Sequence, residues 1–113
     1  MGTPPAGAVV LVHFPFSDLS QTKLRPALVL ADAGRGDLVL CQITSRPYGD
    51  PAASPLQFTD FETGGLRVVS YARPAKLFTA SSGLISARVG TVSREALGRI
   101  VEGIVGLLRS GTS

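Results

Sequence analysis

The sequence predicts a mainly β domain, a small and partly open barrel of short curved strands closed by a C-terminal α-helix. Three observations predict it. β-branched and aromatic runs recur along residues 8–92, separated by breaks rich in Gly, Pro and Asp. At Ser93 the hydrophobic period changes, and Leu97, Ile100, Val101, Ile104, Val105 and Leu108 then share one helical face. The chain has 113 residues, 44% of them hydrophobic, which suffices for one compact core and not for two.

The elements follow in order. Residues 8–16, AVVLVHFPF, form a first strand ending near Pro15, and residues 17–23 form a polar loop. Pro26 opens a second strand over 27–31, where a proline is tolerated at the first position. Residues 33–37, AGRGD, make a tight hairpin turn into a third strand over 38–43. A long Pro- and Gly-containing loop spans 46–55, a length that in compact domains often serves function. Residues 56–58 read as a short strand, Gly64-Gly65 as a break, and 66–72 as a further strand. Residues 73–79 read as a turn feeding a short strand, and 84–92 as extended pieces around Gly90. Ser93 caps the helix and Glu95 complements its dipole. Gly98, Gly103 and Gly106 each weaken that helix by roughly 1 kcal/mol relative to Ala, so it needs tertiary packing.

Composition excludes several kinds of chemistry. One His (His13) and one Cys (Cys41) cannot build a tetrahedral metal site. No Gly-rich phosphate loop precedes a helix, and the G-x-S-x-G pattern is missing. Cys41 lies inside the apolar run LVLC and reads as core, while the single thiol suits a reducing cytosol. No apolar run approaches a membrane span, and the N-terminus has no cleavable signal pattern; the expected location is cytoplasmic. The net charge of +3 is a mild excess, concentrated in the β region at Lys23, Arg25, Arg46, Arg67, Arg73, Lys76 and Arg88.

Two stretches place polar groups at the ends of otherwise apolar strands. Lys23-Leu24-Arg25-Pro26 leads into the second strand, and Thr44-Ser45-Arg46 closes the third. In an antiparallel hairpin those two ends lie side by side, so a guanidinium would meet a hydroxyl on a rigid edge. Such a pair suits a phosphodiester without any metal: the guanidinium matches phosphate geometry, and RNA carries its own nucleophile in the 2′-hydroxyl. A strand-end salt bridge for Arg25 and an ordinary strand role for Thr44 stand as the plainer readings. His13 reads as a surface or structural histidine, and Phe14 and Phe16 as core or interface residues.

At these residues the chain resembles the MazF/PemK toxins of type II toxin–antitoxin systems, in the PemK-like branch. The matching pieces are VLVHFPFSDLS (10–20), KLRPALVL (23–30) and CQITSR (41–46). Gly65-Leu66, Ser70, RPAKLF (73–78) and Leu84-Ile85 follow in the family's order. The likeness covers about residues 8–108 of a single domain, 1–113. It implies an SH3-like barrel of the CcdB/MazF type, a homodimer, and metal-independent, cofactor-free, sequence-selective cleavage of single-stranded RNA to a 2′,3′-cyclic phosphate. It also implies a cognate antitoxin whose C-terminal segment occupies the RNA groove. The catalytic positions fall on Arg25 and Thr44. Substrate contacts are expected from Ser17, Ser20, Gln21, Lys23, Ser45, Arg46, Arg73 and Lys76. The sequence departs from the family at Gly7-Ala8, where an acidic residue usually follows the glycine, and at His13, where many members carry Pro. The alternative is a non-enzymatic CcdB-like toxin on the same barrel, binding a protein target such as DNA gyrase; a weaker third is a member that only binds RNA.

Overall fold

The computed structural model describes residues 3–15 and 22–111. Seven strands form one antiparallel sheet: β1 (Ala8–Pro15), β2 (Thr22–Gly34), β3 (Asp37–Thr44), β4 (Ser54–Leu56), β5 (Phe61–Gly64), β6 (Ser70–Ser81) and β7 (Ile85–Val92). Helix α1 (Arg94–Ser110) follows. The spatial order is β4-β6-β3-β2-β1-β7-β5, and the sheet curls into a half-barrel. Mainly β with one terminal helix is therefore the observed fold class.

The strands are apolar on both faces because both faces are covered. Val9, Leu28, Cys41, Ile43, Leu56, Ala72 and Val92 pack under Ala96, Ile100 and Ile104 of α1. Their neighbours in the strands, Ala8, Val10, Val12, Ala27, Val29, Leu38 and Leu40, point the other way and pack with Ala80 as the sheet curls over itself. Burying a Val, Leu or Ile side chain stabilises by roughly 1.5–3 kcal/mol, so the two clusters dominate the fold's stability.

Several boundaries differ from the sequence expectation, each for a physical reason. β2 begins at Thr22, not after Pro26, and pairs with β1 through Val12↔Arg25 and Phe14↔Lys23. Pro26 is tolerated inside this strand because the ladder with β3 starts only at Ala27↔Gln42. The hairpin turn is the two-residue step Arg35-Gly36, with φ of 55° and 81°, the double-positive geometry of a type I′ turn. The strand expected over 66–72 begins only at Ser70. The turn expected at 73–79 is instead a bulge inside β6. Ile43 faces Ala72 while Cys41 faces Leu77, so residues 73–76 oppose Gln42 alone. Phe58 belongs to a 3₁₀ turn (Phe58–Asp60), and β5 was not expected. β5 approaches β7 closely: a Cβ on Gly64 would collide with the Val89 carbonyl, and one on Gly90 would lie 2.8 Å from the Thr63 carbonyl.

Helix α1 starts where Ser93 Oγ accepts from the Ala96 amide at 3.1 Å. Its buried stripe is Ala96, Ile100 and Ile104, flanked by Leu97. Val101 and Leu108, expected in that stripe, are exposed, because α1 touches the curved sheet along one narrow i, i+4, i+8 line. Arg99 bonds both the Pro55 carbonyl (3.0 Å) and Asp60 (3.3 Å), tying α1 to the β4–β5 connection. No helix among the described residues is long and apolar enough to cross a membrane.

Candidate active site

The β2–β3 ladder ends at Ala27↔Gln42. Continued two residues in the same register, it sets Arg25 opposite Thr44. Alternation puts both side chains on the face of Val29, Ala27, Leu40 and Leu38. The pair thus continues the second core outward and turns it polar where backbone pairing stops. Proline supplies the stop, since Pro26 has no amide to donate.

A cleft of about 200 Å³ opens there, lined by Arg25, Pro26, Gln42, Ile43, Thr44 and Ser45 on one side. Its other wall is the bend before β6, Leu66, Arg67, Val68 and Ser70. Buried Ser70 fixes that bend, its Oγ donating to the Val68 carbonyl at 3.0 Å. Thr44 Oγ1 accepts from the Arg46 amide at 3.1 Å and donates to the Arg46 carbonyl at 3.3 Å, which holds the hydroxyl in one place. Among the described residues, two arginines and no carboxylate or imidazole line the cleft, a lining that favours an anion.

The remaining expected contacts separate. Ser45 lines the cleft and Arg46 extends from its rim, exposed, with Nη1 3.5 Å from the Tyr48 hydroxyl. Lys23 is exposed two residues before Arg25 on the same face of β2. Arg73 lies outside the cleft lining and donates through Nε to Asp50 Oδ2 at 2.9 Å. Lys76 is exposed on the same bulge and also favours the Asp50 carboxylate. Ser17, Ser20 and Gln21 lie outside the described residues. Arg67 and the Leu66–Val68 wall were missed as site residues. Expecting a strand at 66–72 hid them, and the signal available was a cation two residues after a Gly-Gly break.

Two ionisable groups near the cleft are structural. Burial pushes the Cys41 thiol up to about 11, against a smaller opposing effect of the Arg73 backbone, and the thiol donates to the Arg73 carbonyl at 3.2 Å. It is therefore a protonated core group and not a nucleophile. Asp50 is held below the ordinary aspartate value, first by the hydrogen bond from Arg73 and then by the Ala52 amide at 3.0 Å. No three His, Cys, Asp or Glu residues among those described cluster as metal ligands.

The family model of the PemK-like, MazF-like toxins of type II toxin–antitoxin systems matches residues 6–108. The chain belongs to that family. Solved structures agree on the fold. MazE–MazF (Form III) from Deinococcus radiodurans aligns with a TM-score of 0.75 at 22% identity, covering 95% of this chain and 97% of that one. MazF (Form I) from the same organism gives 0.73 at 24%, covering 96% and 98%. An endoribonuclease from a mycobacterial species, solved in complex with its cognate antitoxin, gives 0.73 at 15%, covering 96% and 95%. Among curated proteins compared by sequence, none matches significantly.

Proposed function

We propose that this PemK/MazF-family toxin is an endoribonuclease that cleaves single-stranded RNA at selected sequences without a metal. The observation that carries this reading is the cleft in which Arg25 and Thr44 stand on the neighbouring strands β2 and β3, with Arg67 on the facing wall.

The chemistry follows from those groups. Solvent water takes the 2′-hydroxyl proton as the ribose 2′-oxygen attacks the adjacent phosphorus, the P–O5′ bond breaks, and the leaving 5′-oxygen takes a proton from water, giving a 2′,3′-cyclic phosphate and a 5′-hydroxyl. Arg25 neutralises the charge that grows on the non-bridging oxygens, a preorganised effect of the oxyanion-hole kind. Thr44 Oγ1, fixed by its two bonds to Arg46, orients the 2′-hydroxyl or a phosphoryl oxygen. Arginine stays cationic at neutral pH, so Arg25 acts by charge. The 2′-hydroxyl proton finds no carboxylate or imidazole among the described cleft residues, and slow turnover is the expectation.

The same cleft is where the C-terminal segment of a cognate antitoxin would bind, blocking RNA by occupying its site. The mycobacterial neighbour, solved with its antitoxin, supports an antitoxin partner. A homodimer in the cytoplasm completes the reading. The gyrase-binding alternative gains no support, since the matching model is that of the PemK-like and MazF-like toxins. Incubating purified protein with a mixed-sequence single-stranded RNA in EDTA tests the reading, with product ends identified as cyclic phosphate and 5′-hydroxyl. Intact RNA would reject it.

A further inference from the structure

The loop after Thr44 carries an aromatic ring with no packing role. Tyr48 is 82% exposed. Its backbone lies at φ 46°, followed by Gly49 at 75°, and the Asp50 amide donates to the Pro47 carbonyl at 3.0 Å. This is a tight turn with both central residues at positive φ. Asn, Asp or Gly fits its first central position with less strain than tyrosine. A large ring held in a strained conformation, with almost no buried surface in return, is a feature that function explains better than folding does.

Hydrogen bonds tie the turn to the cleft end of β3 and to the β6 bulge. Asp50 anchors it from behind, bonded to Arg73 Nε at 2.9 Å and to the Ala52 amide at 3.0 Å. Thr44 Oγ1 holds the Arg46 amide at 3.1 Å, and Arg46 Nη1 reaches the Tyr48 hydroxyl at 3.5 Å. A hydroxyl of the cleft, an exposed guanidinium and an exposed ring thus follow one another within five residues. Single-stranded nucleic acid is gripped by this combination: cations track the phosphates while bases stack on aromatic faces.

We propose that Tyr48 is the stacking platform for a nucleobase next to the scissile phosphodiester, with Arg46 holding the neighbouring phosphate. This assignment rests on the ribonuclease reading and deepens it, because it locates part of the sequence selection.

The test uses the full-length protein and a short oligoribonucleotide containing one cut site mapped with the wild type. The attacking ribose is replaced by its 2′-deoxy form, and 2-aminopurine replaces the base beside the cut. Tyr48→Ala and Tyr48→Asn are each expected to raise Kd about ten-fold and abolish stacking-dependent 2-aminopurine quenching, and Tyr48→Phe to stay within roughly two-fold of wild type. Asn relieves the backbone strain, so Tyr48→Asn is expected to melt no lower than wild type while binding more weakly, an outcome that a purely structural tyrosine would not give. Wild-type cleavage together with unchanged Kd in Tyr48→Asn overturns this assignment alone. RNA binding unchanged, with affinity lost only for an antitoxin C-terminal peptide, overturns it too and makes Tyr48 a protein contact. A wild type that neither cuts nor binds RNA removes the ribonuclease reading and the platform with it.

Discussion

Arg73 Nε donates to Asp50 Oδ2 at 2.9 Å, and this ion pair fastens the loop that follows β3 to the bulge in β6. Both ends matter to the cleft, since the loop begins at Ser45 and the bulge interrupts the strand that pairs with Thr44. Asp50 has its pKa lowered in the folded protein, so its contribution is present above the unfolded value of 3.8 and lost as pH falls through the lower, folded value. Asp50→Asn is therefore expected to melt below wild type at neutral pH. The gap should persist down to the ordinary aspartate range and close beneath it, as followed by thermal melts across pH. The same variant should cut RNA with reduced efficiency, because Ser45 to Tyr48 lose their anchor.

Cys41 gives the opposite sign. Its thiol is raised from 9.0 to about 11, so the fold favours the protonated form. Stability from this group is complete below pH 9 and declines by about 1.4 kcal/mol per pH unit as pH rises toward the folded value. A Cys41→Ser variant should lack this component of the alkaline decline. Native protein should also resist thiol-labelling reagents at pH 8 and react fully once unfolded, which a mass shift would read.

Two glycine substitutions should act in opposite directions. Gly64 sits at φ 62° with its missing Cβ aimed at the Val89 carbonyl, so Gly64→Ala should cost about 2 kcal/mol or more and detach β5 from β7. Gly98 lies in α1 with open space around it, so Gly98→Ala should stabilise by about 1 kcal/mol. Urea unfolding of both variants checks the pair of signs.

Much of this was legible in the sequence, and the illegible parts share one cause. The apolar runs of β1, β2 and β3 announce themselves because both faces of each strand are buried, and Ser93 with its i+3 amide announces α1. That Arg25 and Thr44 line one cleft was readable because a hairpin ties adjacent strands together by local register. What could not be read is set by tertiary contact. The β6 bulge is tied down by Arg73 on Asp50, 23 residues earlier. The exposure of Val101 and Leu108 follows from the sheet's curvature under α1. The cleft's second wall at Leu66–Val68 is a bend held by Ser70 Oγ on a carbonyl, and such a bend leaves little mark in periodicity.

The central claim is that Arg25 drives cleavage of RNA by charge alone. The most direct measurement is the rate at which wild type and Arg25→Ala cut the same single-stranded RNA in EDTA, with circular dichroism and melting confirming that both are folded. The account predicts cleavage by wild type, unaffected by chelation, and a loss of roughly 10²–10³-fold or more in the variant at similar stability. Cleavage by folded Arg25→Ala at the wild-type rate, or wild-type activity that chelation abolishes, would contradict it.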